Sequence, residues 1–391
     1  MRQRHVAVLV ETSTQWGRQV IAGIVDYVQQ GHAWQLHVEP WGFDERMSVP
    51  KGWQGHGVIA CVHTTELVRH LAQVNCPVVN VSGFDLPGIT FPRVTTDFEA
   101  AARLASEYYY DRGFKHCAYF GVRSLRAVFK HAESFCREAT ARAMSCSVFS
   151  AELPGAASEW QSHREALSAW LARLPKPVGI FTWDAVGARE VFYAAQEAHL
   201  LVPEEVAILS GSEDELFCQS TPVPLSGLQS AAMQIGFQAA QRLDCAMHRR
   251  RQLASIVLPP LGIVERPSTD TLAVSDPAVL KAVRYIREHA HENYRVSDVV
   301  RQSGLSRRML EIRFAEQLQR TIAQEIRRTH LERACDLLRN HALSMPEVAA
   351  QSGFSSPERL ATVFHKTYGV TPLQYRKQAQ GQVSLTTRAG E

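Results

Sequence analysis

Cysteine is sparse in this sequence, and its placement follows no known pattern. The eight cysteines among 391 residues include no Cys-x-x-Cys pair and no Cys/His spacing typical of a zinc site. A disulfide framework and a structural metal are therefore not expected. We interpret the cysteines as reduced, mostly buried thiols.

Long hydrophobic runs are also missing. The apolar run near the N-terminus covers only residues 6–10, which is shorter than the ~7 to 15 apolar residues of a secretion signal. No later stretch reaches the ~18 apolar residues that a membrane span needs. These absences predict a cytoplasmic protein with no membrane partner.

Common catalytic motifs are absent as well. The sequence has no phosphate-binding P-loop, no Gly-x-Gly-x-x-Gly after the first strand, no His-Glu-x-x-His and no Gly-x-Ser-x-Gly. Its 16 histidines form no recognisable ligand set. We therefore expect no enzymatic activity, no cofactor and no metal.

What the sequence does contain is an alternation of β-type runs and helical stretches up to about residue 264. The chain exceeds the ~250 to 300 residues of a single core. The alternation predicts an α/β fold with parallel sheets, arranged as one doubly wound domain or, as we favour, two facing lobes. Asp97 is a good N-cap, and we place the crossover between lobes there. The β-type runs are residues 6–10, 35–38, 57–62, 77–81, 117–120, 179–182 and 206–209, with helices at 17–29 and 98–112.

A polar segment with Pro267 separates this region from an all-helical one. The predicted domains are residues 1–264, a linker at 265–275, a helical domain at 276–380 and a disordered tail at 381–391. The helical domain has 17 Lys and Arg against 11 Asp and Glu, whereas the whole chain has a net charge of +3. A basic surplus in one domain favours nucleic acid, although a solvated surface is the plain alternative.

The helical domain contains a repeat of about 50 residues. In each copy a short helix ends at Gln-Ser-Gly, where glycine supplies a left-handed turn, and a second helix follows at once. Leu310 with Phe314, and Leu360 with Phe364, are four residues apart and would pack the second helix against the first. The repeat predicts two helix-turn-helix units. The copies cover residues 296–314 and 345–364.

Capping residues mark the helix starts of this domain. Between the copies, residues 321–339 predict one helix of about 19 residues, roughly 28 Å long. That length suits two recognition helices in successive major-groove faces, ~34 Å apart. A plain helical bundle also has glycine turns, but two copies with a rigid spacer favour DNA binding. The capping signals are Ser344 with Glu347, Ser356 with Pro357, and Thr371-Pro372 with Gln374.

The segment of residues 277–376 resembles the DNA-binding domain of the AraC family. The resemblance is strongest in Gly353-Phe-Ser-Ser and in Val363-Phe-His-Lys-Thr-Tyr-Gly-Val-Thr-Pro-Leu-Gln-Tyr-Arg376. It implies that both second helices face the major groove, with Ile312 and Ala361 making only apolar contacts and Arg307, Arg313 and Arg359 at phosphates. It implies base-edge contacts by Arg308, Glu311 and Ile312 in the first copy and by Glu358, Ala361 and Thr362 in the second. All the residues it implies at the DNA are Arg307, Arg308, Glu311, Ile312 and Arg313, then Ser356, Glu358, Arg359, Ala361 and Thr362.

The front region is similar to the core of LacI-type repressors and periplasmic binding proteins, without an N-terminal DNA-binding headpiece. A LacI-like core followed by a helical domain is the order of the AraC-type regulators of D-xylose operons. The motifs shared with them are Arg18-Gln-Val-Ile-Ala-Gly, Gly57-Val-Ile-Ala, Val264-Glu-Arg-Pro-Ser-Thr-Asp and Asp276-Pro-Ala-Val. The resemblance implies a small polar effector such as a xylose-like sugar.

In such folds the ligand lies in the cleft at the carboxyl ends of the strands. Sugar sites use carboxylates and aromatic faces. Cys61 and Ser212 stand where sugar-binding relatives place aspartates; Glu213 or Asp214 can replace the second, and no obvious residue replaces the first. A non-sugar ligand, or no ligand, is therefore the alternative. The candidate ligand residues are Trp16, Arg18, Cys61, Arg123, Trp183, Asp184 and Glu213.

Together these patterns predict a sequence-specific transcription regulator of carbohydrate-metabolism genes, and an activator in particular. The resemblance implies a homodimer on double-stranded DNA, with RNA polymerase as a further partner.

Overall fold

The computed structural model describes residues 3–42, 47–122, 126–151, 157–249, 254–274, 276–339 and 343–379. The chain divides into two compact units, the first comprising Met1–Tyr110 and Phe114–Thr271, the second Asp111–Gly113 and Leu272–Glu391. As predicted, the first unit is α/β and the second is helical. Among the helices so described, none has the length and apolarity to cross a membrane.

The first unit alternates strands and helices along the chain. Its strands are β1 (Arg4–Leu9), β2 (Trp34–Val38), β3 (Gly57–Ala60), β4 (Val78–Asn80), β5 (Val94–Thr96), β6 (His116–Val122), β7 (Ser145–Ala151), β8 (Val178–Thr182), β9 (Val206–Ser210), β10 (Ser226–Gln229), β11 (Ile256–Leu258) and β12 (Gly262–Val264). Its helices are α1 (Gln15–Gln29), α2 (Thr65–Leu71), α3 (Phe98–Asp111), α4 (Arg126–Ala141), α5 (Ala157–Arg173), α6 (Ala185–Glu197), α7 (Glu215–Gln219) and α8 (Ala232–Arg249).

Two sheets define two lobes within this unit. The first lobe has a parallel sheet in the order β2-β1-β3-β4, and its apolar strands are covered on both faces. Helices α1 and α8 pack on one face, where Val8, Ile24 and Ile235 share a core, and α2 packs on the other. The second lobe has a sheet in the order β12-β10-β9-β8-β6-β7, parallel except for β12. Strands buried on both faces explain why the runs read as continuously hydrophobic.

The chain passes between the lobes after β5, after β10 and between β11 and β12. All seven predicted β-type runs are strands, and the predicted crossover is confirmed: Asp97 Oδ1 accepts a hydrogen bond of 2.9 Å from Ala100 N at the start of α3. Strands β5, β10, β11 and β12, each of three or four residues, were not predicted. Strand β7, Ser-Cys-Ser-Val-Phe-Ser-Ala, lies at the edge of its sheet. It was not predicted because its polar residues interrupt the apolar run expected of a buried strand.

The predicted linker begins inside the first unit. Residues Pro267–Thr269 form a 3-10 turn against β9 and β10, with Ser268 and Thr269 fully buried. The Ser268 hydroxyl donates to Ile208 O at 2.6 Å and accepts from Ser226 N at 2.8 Å. These hydrogen bonds allow polar residues to be buried in a segment that, from the sequence alone, resembles a solvent-exposed linker. The two units divide after Thr271.

The second unit is a set of short helices around two cores. The repeat copies are α10–α11 and α13–α14, joined by α12, whose 18 residues span roughly 27 Å. Leu310 and Phe314 lie in one core, and Leu360 and Phe364 in the other, all four of them buried as predicted. The helices are α9 (Pro277–Glu288), α10 (Val296–Ser303), α11 (Arg307–Leu318), α12 (Ile322–Arg339), α13 (Met345–Gln351), α14 (Pro357–Tyr368) and α15 (Pro372–Ala379).

The predicted turns and caps of the repeat are confirmed. Gly304 and Gly353 have φ angles of 74° and 75°, the left-handed conformation that ends a helix at little cost only for glycine. Ser344 and Glu347 form a reciprocal capping box, and Ser356 caps α14 through Arg359 N at 3.3 Å. These helix boundaries of the repeat are therefore encoded locally.

One prediction about the cysteines is wrong. Cys136 and Cys146 form a disulfide, with Cα atoms 5.4 Å apart, whereas all eight cysteines were expected to be reduced. Helix α4 and strand β7 are joined by a tight turn with Ala143 at a φ of 58°. The turn brings the two residues within bonding distance. A ten-residue separation without a motif gives no hint of such a pair.

Candidate nucleic-acid interface and effector cleft

The first candidate DNA-reading surface is the N-terminal half of α11. Ser306 caps this helix, and the adjacent Arg307 and Arg308 side chains are exposed. Ile312 is 44% exposed although it is apolar. Its neighbour Met309, 42% exposed, was not among the predicted contacts. An exposed apolar side chain beside arginines suits a groove where thymine methyl groups meet guanine edges.

Three charged residues of α11 already have partners within the protein. Arg307 Nε lies 2.9 Å from Glu311 Oε1, an exposed pair one helical turn apart. Arg313 Nη1 lies 3.0 Å from Asp276 Oδ2, and Asp276 also caps α9 through Ala278 N at 2.8 Å. A phosphate would therefore compete with Asp276 for Arg313. Arg308 remains the predicted base-reading arginine.

The second candidate surface is the matching face of α14. Glu358, Arg359 and Thr362 are exposed, and Ala361 is half-buried. Thr362 Oγ1 donates to Glu358 O at 2.9 Å, which fixes the hydroxyl against its own helix. Ser356, predicted at the DNA, serves as the N-cap of α14. The face is less basic than that of α11.

The effector cleft lies where the carboxyl ends of the two parallel sheets meet within the first unit. Gln15 follows β1 in the first lobe, and Asp214 follows β9 in the second. Gln15 N donates to Asp214 Oδ2 at 2.9 Å, and Glu215 N donates to Gln15 Oε1 at 2.7 Å. These two bonds join the lobes across the cleft.

On the first-lobe side, three side chains with metal- or hydroxyl-binding atoms converge. Glu11 follows β1, and Cys61 and His63 follow the adjacent strand β3; one ligand atom from each lies within 4.8 Å of the other two. His63 Nδ1 is 3.6 Å from Glu11 Oε1 and 3.0 Å from Cys61 O. Burial raises the pKa of the Cys61 thiol well above its usual range, and the Glu11 carboxylate raises it further.

Aromatic rings from both lobes contact one another at the cleft. The ring of Trp183, after β8, stacks on Phe98 with centroids 5.4 Å apart, and Phe84 lies 6.2 Å from Trp183. Phe84 is also 6.5 Å from His63, so the rings adjoin the first-lobe side. The edge of His131 meets Trp183 at 5.4 Å. Trp183 was predicted from the sequence as a ligand residue, whereas the rings that surround it, Phe84, Phe98 and His131, were not.

The predicted acidic ligands Asp184 and Glu213 have structural partners. Asp184 is the N-cap of α6 and accepts from Gly187 N at 2.8 Å; burial raises the pKa of its carboxyl group, and the helix N-H groups lower it in part. Glu213 forms a bidentate ion pair with Arg266, with distances of 2.9 and 2.5 Å. Asp214, the other carboxylate considered as a replacement, also has structural partners: it caps α7 through Phe217 N and accepts from Gln15 N across the cleft.

Two of the remaining predicted residues, Trp16 and Arg18, make contacts within the first lobe. Trp16 packs against the core of the first lobe. Arg18 is exposed and donates to Thr12 O at 2.8 Å and Ser13 O at 3.0 Å, which braces the loop after β1. Ser212 Oγ accepts from Ala185 N at 3.3 Å. Arg123 lies outside the described residues.

Sequence reasoning missed three groups that the fold places around the cleft. Glu11 supplies a carboxylate beside Cys61, and its position directly after the first apolar run was the available signal. Within the described part of the chain, Asn80 Nδ2 and His131 Nε2 are buried polar atoms without a hydrogen-bond partner. Burial lowers the pKa of His131 to about 3, so its ring is neutral. No sequence pattern marks either residue.

Comparison with known proteins agrees with this architecture. Residues 5–97 match a family described as the XylR N-terminal domain, residues 106–269 a periplasmic binding protein-like domain, and residues 299–378 a helix-turn-helix domain. Among solved structures, that of the xylose-binding transcription activator xylR is 28% identical, with a TM-score of 0.63, covering 97% of this chain and 99% of that one. A LacI family regulator from Bifidobacterium animalis, 19% identical with a TM-score of 0.54, covers 70% of this chain and 100% of its own, and shows the fold of the first unit.

Two relatives match nearly end to end. The xylose operon regulatory protein of Haemophilus influenzae is 27% identical, over 95% of this chain and 97% of its own. The xylose operon regulatory protein of Escherichia coli (strain K12) is 31% identical, over 96% of this chain and 97% of its own. The chain belongs to this family of transcription regulators, in which a periplasmic-binding-protein-like unit precedes an AraC-type helix-turn-helix domain.

Proposed function

We propose that this regulator activates carbohydrate-metabolism genes in response to a sugar bound between the lobes of its first unit. The observation that carries the proposal is the pairing, in one cleft, of a buried carboxylate with stacked aromatic rings. Glu11 can accept hydroxyl hydrogen bonds, and Trp183 offers a ring face. Relatives named for the xylose operon make a pentose the first sugar to test.

Buried polar atoms around the cleft support a polyhydroxylated effector. Asn80 Nδ2 is a donor without a partner at the carboxyl end of β4, and Asp214, which accepts from Gln15 N, is a carboxylate of the second lobe at the cleft. A buried polar group without a partner costs about 1–3 kcal/mol, so a ligand that satisfies it gains affinity. Cys61 stands where sugar-binding relatives have an aspartate, and the carboxylate of Glu11 beside it takes over the role of that missing acid.

A sugar panel tests the proposal. We expect a pentose or a related sugar to raise the melting temperature of the full chain, because binding to the folded state stabilises it. Glu11→Gln should weaken that sugar by about 1.5–3 kcal/mol, roughly 10- to 100-fold in Kd, since a charged acceptor becomes a neutral one. The control is Glu39→Gln, which removes the same negative charge from an exposed position and should bind the sugar as the parent does.

The outcome of the panel is decisive. Sugar binding that Glu11→Gln leaves intact contradicts the assignment of this carboxylate. If no sugar binds while another small polar molecule does, the effector class is wrong and the alternative of a non-sugar ligand replaces it.

On the DNA side, α11 and α14 are proposed to enter successive major grooves. Arg308→Ala should weaken a cognate duplex by about 1–3 kcal/mol and relax base preference at one position, if this side chain reads a guanine edge. The control is Arg284→Ala, which removes the same charge from an exposed position on α9. Binding is measured on duplexes that the parent protein selects from a random pool. Equal losses on selected and random DNA would make Arg308 a phosphate contact instead.

The wider proposal is a cytoplasmic homodimer that presents four recognition helices to two half-sites and contacts RNA polymerase. It rests on family membership and on the order of the two units.

A further inference from the structure

The cluster of Glu11, Cys61 and His63 has the composition of a metal site. Its three ligand atoms, one carboxylate oxygen, one sulfur and one ring nitrogen, lie within 4.8 Å of one another. A tetrahedral zinc ion with such ligands holds them roughly 3.3–3.7 Å apart, given metal–ligand distances of ~2.0–2.3 Å. The separation of 3.6 Å between His63 Nδ1 and Glu11 Oε1 already lies in this range.

We propose that the cleft binds one Zn²⁺ ion through Glu11, Cys61 and His63. A thiolate combined with an imidazole and a carboxylate favours zinc over magnesium or calcium, which take oxygen ligands. Three protein ligands leave a fourth position for water or for an oxygen atom of a cleft ligand. On binding, the Cys61 thiol releases one proton to solvent and the thiolate joins the metal, with no change of oxidation state.

The surroundings of the cluster suit a bound cation. Adjacent parallel strands β1 and β3 fix the three residues, because Cys61 N donates to Leu9 O at 2.8 Å. The contact of 3.0 Å between His63 Nδ1 and Cys61 O holds the ring beside the cluster, and this nitrogen gives up that contact when it binds the ion. The side chains of Glu11 and His63 are only 5% and 11% exposed, so water competes little for the ion.

Sequence spacing cannot reveal this cluster. Cys61 and His63 are separated by one residue, and the third ligand, Glu11, lies 50 residues before Cys61, just after β1. This spacing matches no common zinc motif, which is why the cysteines were expected not to bind zinc.

Titration of the metal-stripped full chain with Co²⁺, a coloured substitute for zinc, tests the proposal without sugar or DNA. We expect one thiolate-to-cobalt charge-transfer band that saturates at one equivalent and is lost when Zn²⁺ is added. Cys61→Ser should abolish the band. His63→Gln and Glu11→Gln should keep a band but weaken binding by at least the ~10- to 100-fold that follows loss of an outer-shell partner.

The control is Cys117→Ser, which removes a buried thiol from β6 and should leave the band unchanged. Circular dichroism tests whether each variant is folded. If Cys61→Ser is unfolded, the Co²⁺ affinities of His63→Gln and Glu11→Gln decide whether the cluster binds metal. No band in the parent, or an equal band in Cys61→Ser, overturns the proposal and leaves a hydrogen-bonded cluster only. Because the titration contains no sugar, its failure does not affect the effector proposal, and the sugar panel can fail while zinc still binds.

Discussion

Phe364→Ala should lower the free energy of unfolding of the second unit by about 3–5 kcal/mol and remove sequence-specific DNA binding. The phenylalanine is fully buried, and its ring lies 4.6 Å from that of Tyr368 and 5.4 Å from that of Tyr375. Its loss leaves a cavity where α14 packs, and large-to-small changes of buried aromatics have this cost. The candidate reading face of α14 would then lose its fixed position.

The measurement combines urea unfolding, followed by circular dichroism, with binding to selected duplexes. The two units can unfold separately, so the transition must be fitted with more than two states. His365→Ala changes the adjacent, exposed residue and should alter stability by no more than about 0.5 kcal/mol. Undiminished specific binding by a folded Phe364→Ala protein would show that α14 does not read DNA.

Glu325→Gln should destabilise the second unit by about 3–5 kcal/mol. Glu325 is fully buried in α12, and its carboxylate binds Arg320 Nε at 2.5 Å and Arg328 Nη2 at 2.8 Å. Glutamine keeps the shape of the side chain but removes the negative charge that both guanidinium groups face. Breaking a buried ion pair by removing one partner costs about 3–5 kcal/mol. Arg328 also pairs with Glu332, so the lower end of the range is expected.

The same substitution should show a specific pH dependence. Burial raises the pKa of Glu325, but the guanidinium groups of Arg328 and Arg320 outweigh it and lower the value to about 2. A folded-state pKa below the unfolded value of ~4.3 stabilises the protein fully above that pH. The contribution is lost as the pH falls towards 2. The stability difference between parent and variant should therefore shrink below about pH 4.5.

Thermal unfolding at pH 7 and at lower pH measures this difference. Glu316→Gln, an exposed position on α11, is the matched control and should change stability by no more than about 0.5 kcal/mol. If the difference in stability between the parent and Glu325→Gln stays constant from pH 7 to pH 3, the ion-pair explanation is contradicted.

The DNA-binding unit could be predicted from the sequence almost completely. Its turns depend on glycines that tolerate positive φ, its helix starts on capping side chains, and its packing on residues four apart. Each of these signals acts within a few residues, so the sequence displays it directly. The glycine turn and the apolar pair four residues apart occur in both copies of the repeat, and Phe314 and Phe364 occupy equivalent positions in their cores.

The sequence also determined the α/β class of the first unit, because strands buried on both faces must be apolar. Tertiary structure alone decided what meets in the cleft. Glu11 comes from one strand and Cys61 from its neighbour, while Asp214 reaches the cleft from the other lobe. It also paired Glu213 with Arg266 and Cys136 with Cys146. These partners are distant in the chain or share no motif, and only the sheet order and the crossovers bring them together.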